Sequence, residues 1–128
     1  MNFPTDFYNY LNNSTLIEIK GGLERKTFLS IWMVTVGTRV FARSWNKSEK
    51  SWFTELLKTG VGQIKYGNKI INVKGKKLNT NDEVNSLIND AYLKKYTQKE
   101  NIKYAEGITQ PEYSDYTIEL FYTDNLLI

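Results

Sequence analysis

The chain has 128 residues, a formal charge of +3, an apolar fraction of 41 % and an aromatic fraction of 14 %, the makeup of one folded domain that buries a core without disulfides or metals. It contains no cysteine and no histidine, which excludes thiol nucleophiles, Ser-His-Asp triads, thiolate or imidazole zinc sites and histidine acid–base steps. No apolar run approaches the roughly 18 to 20 residues that span a bilayer, and the opening MNFPTDFYNY lacks the basic, apolar, small-residue order of a signal peptide, so a cytoplasmic protein with no membrane contact and no metal is expected.

In chain order, residues 1–13 are predicted as an N-terminal helix, with Pro4 tolerated in the first turn and Phe3, Phe7, Tyr10 and Leu11 at helical spacing. Residues 14–124 are predicted as a barrel with inserted helices. TLIEIK alternates like a half-buried strand and runs into a Gly21-Gly22 turn. TFLSIWMVTV, residues 27–36, is almost continuously apolar and rich in β-branched and aromatic side chains, which predicts one strand covered on both faces. Gly37-Thr38 then turns the chain into a third strand, RVFARSW.

A helix is predicted from Ser48 to Lys58, stopped by Gly60. VGQIKY and KIINVKG form a hairpin about Gly67-Asn68. Thr80-Asn81-Asp82-Glu83 reads as a capping box for a helix whose stripe is Val84, Leu87, Ile88, Ala91, Tyr92 and Tyr96. The polar stretch 97–114, broken by Gly107 and Pro111, reads as loop with one helical turn, and DYTIELFYTD as the last strand. The order α-β-β-β-α-β-β-α-β predicts a mainly β fold, a six-stranded antiparallel barrel with helices against it.

Charge is uneven along this frame. Between Arg39 and Lys77 there are ten Lys/Arg against two acids, Glu49 and Glu55; this suits an anionic ligand, the alternative being a lysine-rich solvated sheet face. Gly60-Val61-Gly62 follows a helix and precedes a strand, the reverse of a phosphate loop, and is punctuation. VFARSWNKSEKSW differs: a strand delivers Arg43 and Ser44 to its carboxyl end, and the expected first helical turn adds Ser48 and Lys50. A guanidinium, hydroxyls, an ammonium and a helix N-terminus are the parts a phosphate needs; the alternative is a plain N-cap beside a solvated lysine. Trp32, Trp45 and Trp52 are candidates to flank a planar ring, against core or interface packing. Tyr92 and Tyr96 share a helix face and read as packing residues.

The run from TLIEIK to VNSLINDAYLKKY resembles a poorly characterised bacterial family of the split β-barrel, pyridoxamine phosphate oxidase-like superfamily. The resemblance spans about residues 15 to 123 and rests on Ile31-Trp32, Arg43-Ser44, Trp52-Phe53, Gly60-Val61-Gly62 and Asp90-Ala91-Tyr92-Leu93-Lys94-Lys95-Tyr96 in that order. It implies an FMN-binding split barrel of six strands, a homodimer, with flavin mononucleotide or a deazaflavin between subunits. Ser48-Glu49-Lys50 matches in type and place the Ser-x-Lys by which such oxidases hold the flavin phosphate. Those oxidases also carry basic residues on the preceding strand, whereas SIWMVTV has none, and Arg43 is the residue placed to compensate. The cofactor-binding set implied is Arg43, Ser44, Ser48, Lys50, Trp32 and Trp45, and substitution of Arg43 or Lys50 is expected to weaken flavin binding with the fold intact. Three readings follow: a flavin- or deazaflavin-binding oxidoreductase, a non-catalytic module for another small anionic ligand that takes no flavin, and, least favoured, a binder of single-stranded nucleic acid.

Overall fold

The computed structural model describes residues 2–45 and 51–123. In chain order these form α1 (Thr5–Asn13), β1 (Ile17–Gly21), β2 (Leu29–Ile31), β3 (Val34–Val36), β4 (Arg39–Arg43), α2 (Trp52–Thr59), β5 (Val61–Tyr66), β6 (Lys69–Lys77), α3 (Val84–Lys95), α4 (Ile102–Ile108), a 3-10 turn (Pro111–Tyr116) and β7 (Thr117–Thr123). One antiparallel sheet holds all seven strands in the order β2-β1-β5-β6-β7-β4-β3, curled into an open half-barrel.

The curl follows from connectivity. β2 and β3 lie at opposite edges of the sheet, yet only Trp32 and Met33 separate Ile31 from Val34. Three Cα-to-Cα steps of about 3.8 Å cannot span a flat seven-stranded sheet, so the two edges must approach one another at this point. The apolar run 27–36, expected as one strand, is thus broken, and each half serves a different edge. Ile17 faces Ile31 across one pair and Val34 faces Phe41 across the other. The expected six-stranded, mainly β barrel is corrected to a seven-stranded half-barrel in a mixed α/β fold.

What sequence reading missed is the polar capture of the break. Met33 has no place in either ladder, but its N–H donates to the Tyr96 hydroxyl at 3.2 Å and its carbonyl accepts from Lys95 Nζ at 2.7 Å. The Tyr96 hydroxyl in turn donates to the Thr15 carbonyl at 2.9 Å, just before β1. Buried main-chain groups need partners, and the end of α3 supplies them.

The sheet separates two cores. β4 sends Val40 and Ala42 to a cluster with Phe3, Phe7 and Leu11 of α1 and Trp52, Phe53 and Leu56 of α2. It sends Phe41 to the other cluster, with Val84, Ile88, Tyr92 and Tyr96 of α3 and its flank and Ala105 and Ile108 of α4. α2 lies close over the sheet because β1 and β6 offer glycines there: a Cβ on Gly21 would sit 2.3 Å from the Trp52 carbonyl oxygen, and one on Gly75 2.7 Å from Leu56 Cγ.

Helix ends also differ from expectation. α2 begins at Trp52 with Ser51 as its cap, Oγ accepting from the Thr54 N–H at 3.1 Å, rather than at Ser48. Gly60 closes it in the left-handed region at φ 76°. At α3 the box does not form: Asp82 Oδ1 takes the Val84 N–H at 2.9 Å, and the Thr80 hydroxyl bonds instead to Asp115. Leu87 is 52 % exposed, so the buried stripe of α3 is partly polar. Residues 102–108 make a two-turn helix where loop with one helical turn was expected.

Candidate functional site

A cleft of about 330 Å3 opens at the break in the apolar run. Leu16 before β1, Leu29, Ser30 and Ile31 of β2, and Trp32 form one side; Arg43 and Trp45 at the end of β4, with Ser51 and Trp52 at the start of α2, form the other. Arg25, from the loop between β1 and β2, completes the wall. The size lies at the lower end of the roughly 300–1,000 Å3 of ordinary ligand clefts, and the mix of aromatic walls with few polar groups is typical of them.

Of the sequence-predicted residues, the fold brings Trp32, Arg43 and Trp45 together here. Trp32 lies on Tyr96 with ring centroids 3.8 Å apart and planes 7° from parallel, so one of its faces is occupied by that ring. Trp45 is 45 % exposed. Tyr113 meets it edge-on at 5.0 Å, and Gly107 of α4 is close enough that a Cβ there would stand 3.0 Å from its ring. Ser44 is buried, its N–H donating to the Tyr116 carbonyl at 3.0 Å, and does not line the cleft. Ser48 and Lys50 lie outside the described residues; the chain that carries them joins two lining residues, Trp45 and Ser51.

Arg43 is 3 % exposed and makes five guanidinium hydrogen bonds: Nε to Thr117 Oγ1 at 2.9 Å, Nη1 to Asn89 Oδ1 and to the Ile108 carbonyl at 3.1 Å, and Nη2 to the Asn85 carbonyl at 3.4 Å and Asn85 Oδ1 at 3.2 Å. That matches the five N–H donors a guanidinium has. None of these acceptors is a carboxylate. The cation is held by amide and hydroxyl dipoles and by the C-terminal carbonyl end of α4, while burial lowers its pKa from the ordinary value. Arg43 lines the cleft and adds positive potential to it, but with its donors engaged inside the chain it presents no open fork, whereas the sequence predicts a guanidinium fork for a phosphate.

Asn85, Asn89, Tyr92 and Tyr96 escaped sequence reading as a set, although their i, i+4, i+7, i+11 spacing puts them on one stripe of α3. The signal was a polar stripe where an apolar one was sought. Burial pushes the Tyr92 phenol up to about 12 and raises that of Tyr96 further, so both are neutral hydrogen-bonding groups. Arg25 was not singled out either, whereas Trp52, a candidate ring-flanking residue, does line the cleft. Among the described residues no group of His, Cys, Asp and Glu is placed to hold a metal, and no helix is long and apolar enough to cross a membrane.

A curled antiparallel half-barrel with an aromatic cleft defines a class: a split-barrel-like α/β scaffold of the general kind that can bind small ligands. Within that class, the chain belongs to the family described as "Uncharacterized protein conserved in bacteria (DUF2255)", whose model matches residues 16–120. The matched span includes every residue of the cleft wall. No curated protein matches the chain.

Proposed function

We propose that the cleft takes the ring system of flavin mononucleotide or a deazaflavin, that Ser48 and Lys50 hold the phosphate, and that the protein is a cytoplasmic, homodimeric oxidoreductase. The observation that carries this reading is the convergence of Trp32, Trp45 and Trp52 with Arg25 and Arg43 on one cleft of a half-barrel. A planar ring would continue the Tyr96–Trp32 stack on the other face of Trp32. Leu16, Leu29 and Ile31 would exclude water from it, and the two guanidinium groups favour an anion at the same opening. When bound, the flavin supplies the electron transfer, which fits a chain without histidine or cysteine. Leu16, Leu29 and Trp45 leave the rim about half exposed, an apolar collar suited to burial by a second copy.

The test is the absorbance of purified protein from 300 to 500 nm before and after adding flavin mononucleotide and removing the unbound fraction. Retention of a band near roughly 450 nm supports the assignment. Protein that stays colourless at saturating flavin and deazaflavin overturns it.

A second reading is favoured by Arg43. Since its N–H groups are engaged within the chain, the cleft is also suited to a smaller anion that needs positive potential rather than a bidentate clamp. This non-catalytic module would bind phosphate-bearing small molecules in equilibrium dialysis while retaining no flavin. Single-stranded nucleic acid is the least supported ligand, because it needs a basic groove that tracks a backbone, and the cleft offers Arg25 and an Arg43 whose donors are engaged within the chain.

A further inference from the structure

Lys95 sits in the last turn of α3, with its Nζ 2.7 Å from the Met33 carbonyl oxygen and 5.3 Å from the Tyr96 ring centroid. A second concavity of about 350 Å3 opens over it, lined by Asn12 of α1, Val34 and Thr35 of β3, and Ala91 and Lys94 of α3. It shares no lining residue with the tryptophan cleft. Among the described residues, those that line the concavity bring no acid to this amine: Asn12 and Thr35 are uncharged, Lys94 is a second cation, and the Tyr92 and Tyr96 phenols of the same helix face are neutral.

We propose that Lys95 is an acylation site that takes small anionic acyl donors, of the acyl phosphate class, in this concavity. In the step, the neutral Lys95 amine attacks the acyl carbon. The C–N bond forms as the bond from carbon to the phosphate oxygen breaks, phosphate leaves with the electron pair, and the amine proton passes to water, leaving an amide.

Three features of the surroundings support it. First, burial lowers the Lys95 pKa to about 8. The helix carbonyls at this end favour a cation, but desolvation outweighs them. The neutral form near pH 7.5 is then enriched by about two orders of magnitude over an ordinary exposed lysine. Second, donation to the Met33 carbonyl fixes one N–H and leaves the nitrogen lone pair directed away from that oxygen. Third, the Lys94 ammonium lines the same concavity and complements both the phosphate of the donor and the phosphate that departs.

The test uses the full chain and acetyl phosphate at pH 7.5, with the initial acetylation rate of each lysine followed by peptide mass spectrometry. Lys74 and Lys76, both exposed on β6, are the internal standards. Because lower basicity also weakens a nucleophile, the expected advantage of Lys95 is about tenfold rather than the full change in neutral fraction. A rate at Lys95 equal to or below that of the standards overturns the proposal. Lys95→Arg keeps a donor for Met33 and must abolish the fast phase; persistence of that phase assigns it elsewhere. Lys94→Gln should lower the Lys95 rate with acetyl phosphate several-fold relative to the rate with the uncharged donor p-nitrophenyl acetate. An unchanged ratio removes the assignment to anionic donors.

Discussion

The main-chain N–H of Arg43 donates to the Tyr92 hydroxyl at 2.9 Å, and the Arg43 guanidinium lies over the same ring, 5.9 Å from its centroid. One phenol thereby serves both ends of one residue and ties the last position of β4 to the last turn of α3. Tyr92→Phe keeps the ring and strands the Arg43 N–H in a buried setting, which costs about 1–3 kcal/mol. Urea unfolding of the variant should show a lower midpoint with an unchanged slope. A midpoint equal to that of the wild type would mean that the hydroxyl does not carry this junction.

Arg43→Met removes all five guanidinium bonds at once and leaves Asn85, Asn89, Thr117 and the Ile108 carbonyl in want of a donor. Each neutral acceptor left buried and unsatisfied costs about 1–3 kcal/mol, so a total loss of about 3 kcal/mol is expected. Arg43→Lys should recover little, since a compact ammonium has three donors and no fork. Equilibrium denaturation of both variants decides this; full stability in Arg43→Met contradicts it. Arg43 was expected to be replaceable with the fold intact; its bonds within the chain predict a loss of stability instead, and loss of ligand binding in such a variant is read together with its stability.

Two glycines separate close packing from backbone conformation. Gly21→Ala would place Cβ against the Trp52 carbonyl oxygen at 2.3 Å and the Leu56 nitrogen at 2.9 Å, both main-chain atoms of a packed helix that must shift as a whole. A cost of about 1–3 kcal/mol is expected, with altered tryptophan fluorescence because Trp52 walls the cleft. Gly37→Ala meets no atom within 4 Å but holds φ at 63°, so about 1 kcal/mol of backbone strain is expected with an unchanged emission spectrum. Thermal melts and fluorescence of the pair check both statements.

Period and punctuation made most of the fold legible. The β5–β6 hairpin about Gly67 and the end of α2 at Gly60 stand where spacing and glycine placed them. The break at Trp32-Met33 was not legible, because both halves of the run are apolar and nothing local distinguishes a strand that stays in its ladder from one that changes edges. Its cause lies in Lys95 and Tyr96, more than sixty residues away. Arg43 was legible as a residue of consequence but not as a saturated one, since its acceptors Asn85, Asn89 and Ile108 come from elements that sequence reading treated as an apolar stripe and a loop. Trp32, Trp45 and Trp52 were legible only as large aromatics able to flank a planar ring, and all three line the same cleft.

The pH dependence of stability should show opposing limbs. Lys95 is lowered to about 8 from an ordinary 10.5, so between those values the unfolded chain binds more protons than the folded one. Stability therefore rises with pH across that window; the gain is complete above the unfolded value and is lost as pH falls through 8. Because the amine keeps some contact with water, its size is about 1–2 kcal/mol rather than the full unscreened amount. Tyr66 and Tyr92 act oppositely. Burial raises each to about 12 from 10.0, with the Asp6 carboxylate adding to the rise at Tyr66. Their contribution is whole below pH 10 and is lost as pH climbs towards 12. Urea midpoints measured from pH 7 to 11 should climb above pH 8 and turn over near pH 10. Lys95→Met should flatten the climb and leave the fall, since it removes the buried amine without touching either phenol. A wild-type midpoint that declines steadily from pH 8 would show that Lys95 is not held in the half-buried setting described for it.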